Sequence, residues 1–234
     1  MKPNEIIEES FIDSFKRTLA VLAVASSFGN MVPTVAAHNH NSTYSSSINI
    51  DKELTYAGRE AIKNLPDVIK NKLGDINTIV FVSGIPEGGS KRAVCQVAKG
   101  TRIVYVNPKF RQIFLNGASD QLTAHELTHI AQSNMSRQMQ DRFPETDPDE
   151  NKMYGNLATP DAWKILISAR KNGNRMWNHS REEQAMIVQL RTEEQDSLDD
   201  FIKSGRKDGP MLKAIQLQKK KISVYDSYIN DYDE

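Results

Sequence analysis

Apolar and polar positions along this chain follow two rhythms, and the shift between them marks out its elements. Over residues 54–73, Leu54, Ala57, Ala61, Ile62, Leu65, Val68 and Ile69 recur at three- and four-residue spacing. That period predicts helix, broken once at Pro66, because proline lacks an N–H and its ring clashes with the preceding turn. Residues 76–82 then concentrate Ile76, Ile79, Val80, Phe81 and Val82, which predicts a strand. Gly84, Pro86, Gly88 and Gly89 make a turn region. Residues 92–97 and 101–107 predict two more short strands, joined through Lys99 and Gly100, the second stopped by Pro108. Residues 109–115 show no decided period.

The second half reads as helix. Ser119 is the expected N-cap of a helix reaching about Met135, with Asp120 in its first turn. Residues 161–171 and 181–201 predict two further helices, and Gly209-Pro210 precedes a last helical stretch. Residues 144–148 read as a loop between Pro144 and Pro148. Toward the end, residues 218–234 turn basic and then acidic, with Tyr225, Tyr228 and Tyr232. They read as a peripheral helix or loose tail, so the folded domain is expected over 48–217. Strands gathered ahead of a run of helices give an α+β fold class.

The first 37 residues differ from the rest. Phe15-Lys16-Arg17 leads into an uncharged apolar run over 18–25, and small residues end at Val35-Ala36-Ala37. Basic residues, a short apolar core and a small-x-small site are the parts of a secretory signal peptide. Glu5, Glu8, Glu9 and Asp13 do not belong to one, and an amphipathic N-terminal helix is the competing reading. The first reading implies export to periplasm or medium, the second a cytoplasmic or virion-associated place. The apolar run is shorter than the ~20 residues a membrane span needs. Residues 38–47 are polar and low in complexity, a linker whose His38 and His40 read as solvated.

Composition narrows the function. The 234 residues suffice for one domain with a tail. Lys plus Arg and Asp plus Glu number 30 each, so the basic excess of a nucleic-acid binder is missing. Cys95 is the sole cysteine, which rules out an internal disulfide and a cysteine metal cluster. It reads as a small apolar core residue.

The chemistry-bearing motif is His125-Glu126-Leu127-Thr128-His129. Histidines four apart on a helix lie on one face, and two imidazoles so placed can reach one ion. Glu126 is not needed as a ligand and is free to take a proton from water, which makes it the candidate catalytic base. Leu122, Leu127, Ile130 and Ala131 supply the apolar positions that bury such a helix.

The run from His125 through Ile130-Ala131-Gln132 resembles the active-site helix of zincin metallopeptidases. The resemblance implies a zincin-like fold, with a small mixed or antiparallel sheet packed on that helix and a helical C-terminal half. It also implies one zinc ion and a peptide or protein substrate bound as an extra strand along a sheet edge. Residues 101–107 are the candidate edge strand. The zincin group with a third histidine is excluded, because position 135 is Met135. The gluzincin group takes a glutamate from a later helix, often as Glu-x-x-Ala. Glu182-Glu183-Gln184-Ala185 matches, with Glu182 in the ligand position, although Met186 stands where an Asp is common.

Helix periodicity keeps Glu183 as a rival, because it shares the more apolar face with Met186, Ile187 and Leu190. Against that, Ser180-x-x-Glu183 has the spacing of a capping box, which gives Glu183 a structural task. His179 is a further alternative, as ligand or as oxyanion donor, and Tyr154 could serve the second role. The acidic segment Glu145, Asp147, Asp149 and Glu150 reads as a solvated loop. Three functions follow: a zinc metallopeptidase with Glu126 as general base, a zincin-shaped structural or binding protein, and an amidase acting on a cell-wall amide.

Overall fold

Asp51 opens the first helix. Its carboxylate accepts from the N–H groups of Glu53 and Leu54 at the start of α1 (Lys52–Asn64). The computed structural model describes residues 50–98, 100–135, 157, 159 and 161–233. The signal-like segment, the linker with His38 and His40, the acidic segment at 145–150 and Tyr154 lie outside the described residues.

Leu65 leaves α1 in an extended conformation, as the residue before a proline must, and α2 (Asp67–Lys72) begins after Pro66. The strand expected over 76–82 is shorter. Asp75 accepts from Asn77 N–H and turns Ile76–Thr78 into one 3₁₀ turn, so β1 is Val80–Ser83. Local side-chain-to-backbone bonding wins here over the β preference of Ile76, which stays exposed. β2 (Cys95–Val97) and β3 (Ile103–Val106) are trimmed in the same way, and Gly100, at φ 74°, lies in the hairpin between them.

The sheet is mixed, in the order β1-β3-β2. β1 runs parallel to β3, with Val80 opposite Ile103, and β2 runs antiparallel to β3, with Cys95 opposite Val106. The expectation that residues 101–107 form the open edge is therefore wrong. β3 is the central strand, its hydrogen bonds spent on both neighbours; β1 and β2 are the edges, and β2 is the one that packs on the following long helix.

After β3 the chain is helical almost at once. A 3₁₀ turn (Pro108–Phe110), a short helical piece (Arg111–Ile113) and a π turn (Phe114–Ala118) lead without a break into α3 (Ser119–Ser133). Ser119 is thus not a helix start, because the chain before it is already wound. The remaining helices are α4 (Ala162–Lys171), α5 (Arg181–Lys203) and α6 (Gly209–Ile229), the last capped by Asp208 with proline in its first turn. The chain is α+β, with a small mixed sheet and a mostly helical C-terminal half. Among the described residues no helix is long and apolar enough to cross a membrane.

α3 is the centre of the packing, set between α1, α5 and β2. Ala124, Leu127, Ile130 and Ala131 are buried, and so are Thr123 and Thr128, so polar residues of the helix are enclosed as well. Thr128 Oγ1 donates to Ala124 O at 2.8 Å. The stretch expected as a peripheral helix or loose tail is the second half of α6, where Ile222 is buried and Tyr225, Tyr228 and Ile229 belong to the main core. Its basic run hid this. Lys221 is itself buried, with Nζ 3.0 Å from Glu194 Oε1.

Gly58 shows how closely α1 lies on the sheet. A Cβ at that position would sit 2.1 Å from the ring of Phe81, which is fully buried. In an open helix, Gly→Ala stabilises by roughly 1 kcal/mol. Here overpacking outweighs that gain, and Gly58→Ala is expected to destabilise the protein by about 1–3 kcal/mol in urea denaturation. A more stable variant would show that α1 does not approach β1 this closely.

Candidate metal centre

Two helices meet at this site. In α3, His125 and His129 stand one turn apart with ring centroids 4.9 Å apart and planes at 77°. From the first turn of α5, Glu182 reaches both. Its Oε2 lies 3.2 Å from His125 Nε2 and its Oε1 lies 3.4 Å from His129 Nε2. One ligand atom from each of His125, His129 and Glu182 falls within 4.8 Å of the others, a group that could hold a metal ion.

The spacing fits a small cation. Ligands held at ~2.0–2.2 Å around a tetrahedral ion stand about 3.4 Å from one another. The two histidine–glutamate separations, 3.2 and 3.4 Å, agree with that. The donor set of two imidazole nitrogens and one carboxylate also suits zinc chemically.

Charge is balanced within the group. Burial opposes ionisation of Glu182, but His129 and His125 together hold its carboxyl well below the usual range. Burial lowers the His129 pKa, and the carboxylate of Glu182, helped by Glu126 and Gln132, more than offsets this, so that it is pushed up to about 9. Glu126 shows the reverse. Burial pushes its carboxyl up, and the neighbouring histidines only partly oppose that.

Glu126 points from α3 to the edge strand. Val97 N–H donates to its Oε2 at 2.8 Å, and Cys95 Sγ lies 3.9 Å from its Oε1. Cys95 is buried, and burial pushes its thiol well up, so it is a neutral core residue beside the carboxylate.

Glu183 and His179 are turned to other tasks. Glu183 completes the capping box with Ser180, accepting from Ser180 N–H at 3.1 Å while its own N–H donates to Ser180 Oγ at 3.2 Å. Its Oε2 also lies 3.2 Å from His179 Nδ1, and His179 Nε2 lies 2.6 Å from Tyr228 Oη. Burial pushes the Tyr228 phenol up to about 12. His179 thus ties α6 to the start of α5 and is not in the converging group.

Two residues escape sequence reading, Gln132 and Gln184. Both are buried, and Gln132 Oε1 stands 3.0 Å from His129 Nδ1. The only sequence signal was position, since Gln132 follows His129 by one helical turn. By contrast, the buried Nδ1 of His125 has no hydrogen-bond partner among the described residues.

No known protein family, curated protein or solved structure matches this chain.

Proposed function

We propose that this protein is a zinc-dependent peptidase of the gluzincin type, with His125, His129 and Glu182 as ligands and Glu126 as general base. The observation that supports it is the convergence of both histidine Nε2 atoms on the two oxygens of Glu182, with Glu126 beside them on the same helix. Bound zinc supplies Lewis acidity for a water and for the carbonyl oxygen of the scissile bond. The protein's own part is proton handling and positioning. Glu126, with its pKa raised by burial, is suited to accept a proton from water and return it to the leaving amine. Val97 N–H holds one oxygen of that carboxylate in place.

β2 is the candidate substrate strand. It is an edge strand, it packs against α3, and its Val97 is bonded to the base itself. An extended peptide laid along that edge would present its backbone to the site between β2 and Glu182.

The pKa of His129 sets the test. A ligating imidazole must be neutral, so at pH 7 His129 gives up a proton when it takes a metal. Adding one equivalent of zinc to chelator-stripped protein at pH 7 is expected to release about one proton from this ring and to restore cleavage of an unfolded protein substrate. Zinc affinity should rise with pH toward about 9 and then level off. Cleavage that survives complete chelation would contradict the reading.

A further inference from the structure

We infer that Gln132 is the positioning residue for His129 and that Gln184 fixes the direction in which Gln132 acts, an inference that rests on the metal-site reading above. Gln184, at the start of α5, is fully buried. Its Nε2 donates to two main-chain carbonyls, Met176 O at 3.1 Å and His179 O at 2.9 Å. A carbonyl only accepts, so the NH₂ end of Gln184 is pinned there and its Oε1 faces the other way.

That oxygen accepts from Gln132 Nε2 at 3.0 Å, and the same Nε2 donates to Arg181 O at 3.0 Å. Gln132 therefore has its NH₂ end toward α5 and its Oε1 toward His129 Nδ1, at 3.0 Å. An amide oxygen can only accept, so Nδ1 carries the hydrogen whether the ring is neutral or cationic. Nε2, facing Glu182, is the nitrogen whose lone pair is left for a ligand.

Three main-chain carbonyls, of Met176, His179 and Arg181, thus dictate the tautomer of a ring on another helix. They belong to the segment that delivers Glu182, so one piece of chain both presents the carboxylate and turns His129 to meet it. The gluzincin pattern commonly has an Asp at the position of Met186, which is apolar and buried here. Gln132 supplies an acceptor behind a ligand histidine from within α3 itself.

Gln132→Met keeps the length of the side chain and removes the acceptor. In chelator-stripped wild type, ¹H–¹⁵N spectra are expected to show a slowly exchanging His129 Nδ1–H, and Gln132→Met should lose it. Zinc dissociation constants, read by competition with a chelator, should rise roughly 10–100-fold in Gln132→Met. Gln184→Met should move both readouts in the same direction by less. Adding it to Gln132→Met should cost no further zinc affinity, because Gln184 acts through Gln132. A stripped wild type without the Nδ1–H signal, a signal unchanged in Gln132→Met, or unchanged zinc affinity would overturn the inference. A wild type that shows the signal but takes up no zinc would instead overturn the metal reading, and the positioning role with it.

Discussion

Glu126→Gln is expected to keep its zinc and its fold and to lose turnover by roughly 10²–10⁴-fold, the usual contribution of a positioned general base. The substitution is clean because of the contact it preserves. Glu126 Oε2 accepts the Val97 N–H at 2.8 Å, and a glutamine Oε1 can accept the same hydrogen. The tie between α3 and β2 therefore survives, and a buried carboxylate whose ionisation is already disfavoured by burial is replaced by a neutral amide. What disappears is the capacity to take a proton. A structural zinc protein would tolerate the change without consequence. Single-turnover cleavage of an unfolded protein, measured beside zinc content and thermal melting, separates the two. Full activity in Glu126→Gln would remove the general-base role.

The second large effect is expected at adjacent positions of α5 with opposite outcomes. Glu182→Ala takes away the one carboxylate that both histidines share. It should abolish stoichiometric zinc binding and all hydrolysis. It also leaves the partly buried His129 ring without the charge that stabilises its cation, so the imidazole pKa should fall toward neutrality. Glu183→Ala should keep zinc and lose stability instead. Its carboxylate caps the helix through Ser180 N–H and holds His179, and loss of such a cap costs about 0.5–2 kcal/mol. Elemental analysis and denaturation of the two variants give the comparison. Zinc retained by Glu182→Ala and lost by Glu183→Ala would reverse the ligand assignment.

What the sequence disclosed was what is local. His125 and His129 share a face because four residues make about one turn, and Ser180 with Glu183 forms a capping box because three residues span the helix start. Pro66 stops α1 for reasons confined to its own ring. Strand order is a different kind of fact. Nothing in the pattern of residues 101–107 says that they take the middle of the sheet, because the partners on either side come from 80–83 and 95–97. The burial of the last helix is a fact of the same kind. Ile222, Tyr225 and Ile229 do recur at helical spacing, but the three lysines before them suggested solvent, and only the partly buried Glu194 shows why Lys221 is enclosed. Gln132 and Gln184 were illegible because an amide becomes informative only when its acceptors are known, and those of Gln132 lie about 50 residues away in sequence. The proposed ligand set mixes the two kinds. The histidine pair is a helix repeat, and Glu182 joins it only through the packing of α5 on α3.

Zinc-edge X-ray absorption on protein dialysed against excess zinc tests the central claim most directly. The expected result is one zinc per chain with two imidazoles and only nitrogen or oxygen neighbours, at ~2.0–2.2 Å. A thiolate sulfur at ~2.3 Å, for which Cys95 is the sole cysteine, or a protein that retains no zinc would contradict it.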